Sequence, residues 1–259
     1  MSATARERRL ERWIGALTIV VLLLALEAMV RLAWVNPAFI PAPTVVLQKL
    51  WELFARGSVT GPLIETLTLL FSAYAVATLL AIGTGLLMGR FRFVHGLLEP
   101  LVEVLRPLPK PALLPPLILF LGLGSPMKLA VVGLGVFFPV LINTVQGVRG
   151  TDPVLLDTAR TFGHGPRRQL LRVILPSALP MIVAGMRISL GLGLVLVVIA
   201  EMLAGTGGVG YLIIDMQRSF RVADMYAWIV ILAVLGFGLN EVFVRLERKA
   251  IHWSLVTRT

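Results

Sequence analysis

Hydrophobic and polar positions along this chain alternate in long blocks, not at every second residue. Five blocks are continuously apolar over about 20 residues or more, and a sixth of similar length is interrupted by prolines. The six blocks are residues 13–35, 67–89, 97–123, 129–148, 177–200 and 225–244. Apolar blocks of this length suit helices that cross a bilayer, whereas the strands of a membrane barrel alternate in polarity. The pattern predicts an all-α, polytopic membrane protein with six transmembrane helices.

The composition agrees with this class and excludes several chemistries. Of the 259 residues, 57% are hydrophobic and 15% are charged, with a mean hydropathy of +0.88. Soluble domains carry about 25% charged residues, and one domain of this length could not hide so much apolar surface from water. Cysteine is absent, which rules out disulfides, thiolate nucleophiles and cysteine metal ligands. We expect residues 1–259 to form a single transmembrane domain.

The net charge of +10 is concentrated in particular loops. If the N-terminus is cytoplasmic and six helices span the membrane, the arginines before residue 13, beside residue 91, in residues 149–176 and after residue 244 face the cytoplasm. The basic residues left on the other side are Lys49, Arg56, Lys128, Arg218 and Arg221. Loops rich in Arg and Lys stay in the cytoplasm. The charge therefore predicts topology, with both termini cytoplasmic, and gives no reason to expect a nucleic-acid partner.

The third block is broken near its middle by three prolines at residues 107–111, between Arg106 and the apolar run that follows. Proline has no backbone N–H and disfavours helix in the residue before it. A break at membrane depth is tolerated only where protein or a water-filled path surrounds it. Arg106 therefore either lines the centre of an assembly, as a candidate translocation-pathway residue, or lies with Lys110 at the cytoplasmic interface. The sequence leaves both interpretations open.

Other polar residues of the apolar blocks also admit two interpretations. Asn143, in the fourth block, suits either a permeation role or a hydrogen bond between helices. Glu201 ends the fifth block, before a glycine-rich stretch (residues 205–210) that predicts a turn without regular structure. Glu201 is then either part of an outer gate or a cap for this turn. Gly85 and Gly89, in the second block, predict close packing against a neighbouring helix.

Residues 149–176, called the 149–176 loop below, contain more structural signals than a simple connection needs. Asp152 and Pro153 predict the cap and first position of a short helix, and Gly163 predicts its left-handed end. Pro166 then opens a second short amphipathic helix with a basic face. Two short helices joined at a glycine predict a compact docking element. The alternative is a hairpin that lies on anionic membrane lipid, which the arginines would favour.

Part of this loop resembles the EAA loop of binding-protein-dependent ABC importer permeases. That motif has a Glu-Ala-Ala triplet, a glycine and a later Ile-x-Leu-Pro segment; here Asp157-Thr158-Ala159, Gly163 and the contiguous Ile174-Leu175-Pro176 stand in the matching places. Asp in place of Glu keeps the charge, whereas Thr158 and His164-Gly165 depart from the motif. The resemblance implies that the loop docks on an ATPase subunit through Asp157, Thr158, Ala159, Phe162, Gly163, Ile174, Leu175 and Pro176.

The chain from about Pro41 to Trp253 resembles the nitrate, sulfonate and taurine branch of the same family. The similar segments are Arg106-Pro107-Leu108-Pro109, residues 115–124, Phe138-Pro139-Val140-Leu141-Ile142-Asn143-Thr144, Ala184-Gly185-Met186-Arg187-Ile188, Ala200-Glu201-Met202 and Gly208-Val209-Gly210-Tyr211-Leu212. In combination these motifs are specific. They imply a type I ABC importer permease fold.

The resemblance implies a permease subunit of an ATP-driven importer in the bacterial inner membrane. It would move a small, anionic solute such as nitrate, a sulfonate or taurine from periplasm to cytoplasm by alternating access. Its partners would be a second copy of itself, cytoplasmic ABC ATPase subunits and a periplasmic substrate-binding protein. No Gly-x-x-x-x-Gly-Lys-Ser/Thr motif occurs in the sequence, so ATP and Mg would be bound by the ATPase subunits. We expect no catalytic residue and no metal site in this chain.

Two other functional classes fit the sequence less well. An ion-coupled secondary transporter with inverted repeats would show broken helices in both halves, and only the third block is clearly broken. An intramembrane enzyme would need facing acidic or histidine side chains within the spans. The three histidines, His95, His164 and His252, lie outside the deep parts of the apolar blocks.

Overall fold

A computed structural model describes residues 5–251, and within that range every regular element is a helix. The α-helices are α1 (Ala5–Arg31), α2 (Pro43–Ala55), α3 (Thr60–Arg90), α4 (Arg92–Leu105), α5 (Leu114–Leu121), α6 (Ser125–Arg149), α7 (Pro153–Thr161), α8 (Pro166–Gln169), α9 (Leu175–Ala204), α10 (Gly208–Arg218) and α11 (Val222–Ala250). A 3₁₀ turn, Lys110–Leu113, precedes α5, and a π-helical turn, Leu170–Ile174, joins α8 to α9. The predicted location of the two termini falls on residues 1–4 and 252–259, outside the described range.

Five helical segments are long and apolar enough to cross a membrane, and a bent pair forms a sixth candidate. The five are Trp13–Arg31, Thr60–Arg90, Ser125–Arg149, Pro166–Ala204 and Val222–Ala250. The sixth combines α4 with Lys110–Leu121, which meet at an angle of 92°. This confirms the all-α class with five or six candidate spans, and the bent pair is broken where the prolines predicted a break.

Lys110 stabilises the break in the third span. Its ammonium donates hydrogen bonds to the carbonyl oxygens of Leu105, Arg106 and Leu108 at 2.8, 3.0 and 3.0 Å. The same Nζ lies 4.6 Å from the ring centroid of Phe138. Prolines leave carbonyl groups of the preceding turn without backbone donors, and such groups are costly in an apolar medium. The Lys110 side chain, two to five residues after these carbonyl groups in the sequence, therefore supplies the missing donors.

The chain divides into two compact units. The first runs to Gly61 and includes Leu212–Leu232, and the second includes Pro62–Tyr211 and continues from Ala233. In the first unit, Glu27 joins α1 to α2. Its carboxylate accepts hydrogen bonds from Arg31 at 2.6 Å and from the hydroxyl and backbone N–H of Thr44 at 2.8 and 3.0 Å.

Helices α3, α6 and α9 form the core of the second unit. The buried side chains include Leu70, Met127, Val131, Val136, Val140, Leu141 and Val197. A Cβ atom added at Gly85 would lie 2.6 Å from Cβ of Thr144, and one added at Gly89 would lie 2.6 Å from Cβ of Val148. Real carbon atoms do not approach so closely, so α3 packs on α6 at a distance that only glycine allows. This confirms the close packing predicted for Gly85 and Gly89.

The second predicted short helix of the 149–176 loop is not a separate element, so that prediction was wrong. The chain is helical without interruption from Pro166 to Ala204, through α8, the π-helical turn and α9. Within this turn the N–H of Leu175 donates to the carbonyl of Leu170, one residue farther back than in an α-helix. The wider turn accommodates Pro176, whose ring would clash with the carbonyl four residues earlier in a regular α-helix.

Candidate functional site

Helix α7 of the 149–176 loop has the two ends predicted from its sequence. Asp152 caps the start, because its Oδ1 accepts a hydrogen bond from the backbone N–H of Val154 at 2.8 Å. At the other end Gly163 adopts a left-handed φ of +72°. The N–H of His164 then donates to the carbonyl of Ala159 at 2.9 Å, which satisfies the last turn. The loop therefore holds α7 in one orientation through local contacts.

The two sides of α7 differ in their exposure. Ala159 is buried, whereas the large apolar side chains that reach solvent are Val154, Leu155 and Phe162, which are 68%, 50% and 78% exposed. Asp157 and Arg160 form an exposed ion pair of 2.8 Å. Exposed apolar side chains rimmed by charges are typical of a surface that a partner covers.

The residues of the predicted motif separate into an exposed group and an anchoring group. Asp157, Thr158, Phe162 and Gly163 are exposed. The anchoring group begins with Ile174, which is 3% exposed and packs with Val148, Ala178 and Ile182. Leu175, partly buried, and Pro176, exposed, follow as the first residues of α9. The structure thus connects the exposed face of α7 to the packed core through the start of α9.

Arg106 lines a cavity of about 430 Å³ at the break in the third span. Most of the wall is apolar and comes from the third, fourth and fifth spans, including Leu108, Phe138, Ile142, Leu192 and Val195. Arg106 also forms an ion pair with Glu103, with 3.2 Å between Nη1 and Oε1, and both side chains are about half exposed. Lys110 lines the cavity too, but its ammonium is bound by three carbonyl oxygens. Arg106 is therefore the one arginine among the described residues of this cavity, and it is paired with Glu103 in otherwise mostly apolar surroundings.

Asn143 lies elsewhere, at the contact between α6 and α9. Its Nδ2 donates to the carbonyl of Pro139 at 2.8 Å, and its Cβ lies 2.7 Å from where a Cβ of Gly185 would be. The lining of the Arg106 cavity does not include Asn143. The contacts of Asn143 are those of a packing residue, and its role in the pathway stays a prediction.

Glu201 is 1% exposed and binds the start of α10. Its carboxylate accepts the N–H of Gly210 at 2.9 Å and the hydroxyl of Thr66 at 2.9 Å, and the Thr66 oxygen accepts the N–H of Val209 at 2.9 Å. Two unpaired N–H groups of the first turn of α10 are thereby satisfied. The prediction of no regular structure was wrong for residues 208–210, because α10 begins at Gly208. Glu201 caps this turn, and its part in an outer gate stays a prediction.

None of the four glycines in residues 205–210 has free space at its Cβ position. A Cβ at Gly207 would meet the carboxylate of Glu65, and one at Gly208, whose φ is +88°, would meet the carboxylate of Glu201. A Cβ at Gly210 would meet the carbonyl oxygen of Val198 and lie 2.8 Å from Cβ of Glu201. Gly208 and Gly210 are therefore required by close approach to the buried Glu201 and to backbone, whereas the neighbour of Gly207, Glu65, is exposed. Composition alone did not indicate these neighbours.

Sequence reasoning missed two charged residues near Glu201. Lys128 was counted only as a basic residue on the outer side, and Glu65 was not considered. In the structure Lys128 is 6% exposed and lines, with Glu65 and Glu201, a cavity of about 320 Å³. The one signal in the sequence was a lysine directly before the fourth block, two residues after Pro126. Residues 5–251 contain no group of three or more His, Asp or Glu side chains placed to hold a metal ion.

The family model described as "Binding-protein-dependent transport system inner membrane component" matches residues 77–251. A putative aliphatic sulfonates transport permease protein, SsuC of Bacillus subtilis (strain 168), is 33% identical over 93% of this chain and 88% of its own. The taurine transport system permease protein TauC of Escherichia coli (strain K12) is 32% identical over 91% of this chain and 88% of its own. A bicarbonate transport system permease, CmpB of Synechococcus elongatus, is 29% identical over 71% of this chain and 67% of its own.

Solved structures support the fold. An inward-facing structure of the MetNI methionine ABC transporter matches with a TM-score of 0.63 at 18% identity, over 81% of this chain and 98% of that chain. A chain of an amino acid ABC transporter matches with a TM-score of 0.63 at 18% identity, over 78% of this chain and 97% of that one. At this identity the likeness shows the helical arrangement alone.

Proposed function

Because the chain belongs to the family of binding-protein-dependent transport system inner membrane components, it is a permease subunit of an ABC importer, and we propose that its solute is a small anion with an apolar part, such as an aliphatic sulfonate. The cavity at Arg106 carries this proposal. The half-exposed guanidinium of Arg106 suits a sulfonate group that would compete with Glu103 for it, and the apolar wall suits a short alkyl chain. The names of the sulfonate and taurine relatives agree with this class. The relatives favour neither a secondary transporter nor an intramembrane enzyme.

We propose that the exposed face of α7 docks on a cytoplasmic ABC ATPase subunit, which binds ATP and Mg. The exposed side chains of Leu155 and Phe162 support this, because a partner surface would remove them from water. We also propose that two copies of this chain form the pathway, as a homodimer served by a periplasmic substrate-binding protein. Asp157, Thr158 and Gly163 then lie on the ATPase-facing side of the 149–176 loop.

The continuous helix Pro166–Ala204 gives this docking a mechanical route. The helix begins inside the 149–176 loop, and its other end holds Glu201, which binds the start of α10. A rigid helix transmits a displacement along its length. We propose that closure of the ATPase subunits moves the loop, and that α9 carries this movement to the Glu201 contact and switches access to the cavity. Arg106 would contact the solute, whereas Asn143 and Glu201 would act through the helices that they hold.

We further propose that the chain is a multi-pass protein of the bacterial inner membrane that works as one transmembrane domain. The concentration of arginines supports a cytoplasmic position for the 149–176 loop and for both termini. The glycine-rich turn then faces the periplasm, where a substrate-binding protein would dock.

Uptake by the purified complex in proteoliposomes tests the solute class. Arg106→Gln should lower ATP-dependent uptake of a radiolabelled alkanesulfonate by about tenfold or more, since a charged hydrogen bond to the solute is lost. Arg106→Lys should retain part of the activity. The matched control is Arg245→Gln, which removes an exposed ion pair of similar length, 3.1 Å to Glu241, outside the cavity. Equal uptake by wild type and Arg106→Gln would contradict the role of Arg106. Absence of sulfonate uptake by wild type, with uptake of another solute, would contradict the solute class.

A further inference from the structure

A second charged cavity, of about 420 Å³, lies beside the 149–176 loop. It is bounded by the C-terminal ends of α3 and α6, the start of α4, and α7. Four arginines line it: Arg90, Arg92, Arg149 and Arg160. Acidic side chains are absent from its wall, whose other polar side chains are those of Thr151 and Gln169. This cavity is separate from the one at Arg106.

The positive charges in this cavity are mostly uncompensated. Arg160 pairs with Asp157 at 2.8 Å. Among the side chains that the structure describes, none of the other three arginines has a carboxylate oxygen within 4.0 Å. Like charges gathered around one cavity repel each other, and an anion between them would remove that repulsion. Guanidinium groups bind phosphate-type oxygens in a two-pronged geometry that few other anions match.

Thr151 gives an independent indication of a ligand. The residue is 5% exposed and lines the cavity, yet its hydroxyl has no hydrogen-bond partner among the described residues. A buried hydroxyl without a partner is unfavourable, and most such groups in folded proteins are satisfied. Gln169 is buried as well, but its Nε2 already donates to the carbonyl of His164 at 2.7 Å. A ligand oxygen in the cavity would supply the acceptor that Thr151 lacks.

A simpler explanation covers only part of this arrangement. Arg90, Arg149 and Arg160 lie in the last turns of their helices, where positive charges favourably offset the helix dipole. Arg92, however, is the first residue of α4, where the dipole favours negative charge. The helix-dipole explanation also does not account for the buried Thr151 hydroxyl, which lacks a hydrogen-bond partner among the described residues. An anion bound between these groups accounts for both observations.

We propose that this cavity binds a phosphate-type oxyanion, which is either the headgroup of an anionic phospholipid or free inorganic phosphate. A bound phosphate would bridge Arg160 on α7 to the ends of α3 and α6. It would thereby hold the exposed face of α7 in place. This inference goes beyond the proposed transport function and does not depend on the identity of the solute.

Two binding measurements on the purified complex distinguish the sources. In the first, radiolabelled inorganic phosphate is titrated against delipidated complex in neutral detergent. In the second, complex from nanodiscs of phosphatidylglycerol and phosphatidylcholine is analysed by native mass spectrometry for retained lipid. Arg92→Gln combined with Arg149→Gln should weaken saturable binding of phosphate or of phosphatidylglycerol by at least about tenfold. The matched control, Arg167→Gln with Arg168→Gln, removes two exposed charges of the same loop that do not line the cavity.

If the Arg92/Arg149 double variant loses binding of inorganic phosphate and the control does not, the site is supported with free phosphate as its ligand. If it instead loses retention of phosphatidylglycerol, the site is supported with lipid as its ligand. Equal losses in the two double variants, or no saturable binding of either probe by wild type, would overturn the proposal. Thr151→Val guards against a folding artefact, because it removes a hydroxyl that has no partner. It should leave thermal stability unchanged while weakening binding about threefold. Unchanged affinity in Thr151→Val would contradict the role of this hydroxyl.

Discussion

Two glycine turns flank the continuous helix Pro166–Ala204, and they use glycine for different reasons. Gly163, before the helix, has a φ of +72°, and a Cβ placed there would have no atom within 4 Å. Gly208, after the helix, has a φ of +88°, and a Cβ there would meet the carboxylate of Glu201. The first turn needs glycine for its backbone conformation alone. The second needs glycine for both conformation and space.

The hydrogen bonds of the two turns also come from different distances in the sequence. Around Gly163 the donors and acceptors are backbone groups within α7 and its end. In the glycine-rich turn, Thr66 and Glu201 bind the start of α10, and these two residues are 135 positions apart. The turn beside Gly163 is therefore local and open, whereas the glycine-rich turn is non-local and filled. An open surface is available to a partner, and a filled one ties α3, α9 and α10 together.

The largest expected difference between the two turns is in their accessibility from the periplasm, because they are proposed to face opposite sides of the membrane. Single cysteines can be introduced at the exposed positions Arg168 and Thr206, because the chain has no cysteine of its own. In intact cells, a membrane-impermeant thiol reagent from the periplasm should label Thr206→Cys fully and Arg168→Cys only after permeabilisation. The cysteine-free wild type is the control for background. Labelling of Arg168→Cys in intact cells would contradict the proposed topology.

The next largest effect should follow from filling the glycine-rich turn. Gly210→Ala should lower the free energy of unfolding by about 3 kcal/mol, because the new Cβ meets the carbonyl oxygen of Val198, which α9 holds in place. The measurement is unfolding in detergent of the purified permease, followed by circular dichroism. Gly191→Ala is the matched control, since Gly191 lies in α9 with no atom within 4 Å of its Cβ position. If Gly210→Ala lowered the free energy of unfolding no more than Gly191→Ala does, the turn would be able to rearrange around the added methyl group at little cost.

The difference between the two turns also explains what the sequence could predict. Membrane spans are readable because the bilayer imposes length and hydrophobicity on each helix separately. The cap at Asp152 and the left-handed Gly163 are readable because their partners lie within a few residues. These predictions were confirmed.

Other features depend on partners that the local sequence does not reveal. Helix α10 begins inside a run of glycines, which intrinsic propensity disfavours, because Thr66 and Glu201 supply its cap. The continuity of α8 with α9 depends on a π-helical turn that makes room for Pro176. The four-arginine cavity draws its arginines from four separate helices. In each case the local structure is determined by tertiary packing, which local sequence signals predicted incorrectly or did not predict.

The smallest effect on stability should come from the open turn. Gly163→Ala should lower the free energy of unfolding by only about 1 kcal/mol, the cost of a left-handed backbone for a residue with a Cβ. Gly163→Val should cost more, because a β-branched residue fits that conformation less well. Both variants should nevertheless weaken co-purification of the ATPase subunit and ATP-dependent uptake, since the end of α7 would change direction. Gly165→Ala, at a φ of −65° with no atom within 4 Å, is the control that should change neither. If Gly163→Val lost stability but kept full ATPase association and uptake, the 149–176 loop would not be the docking element, and the openness of this turn would need another explanation.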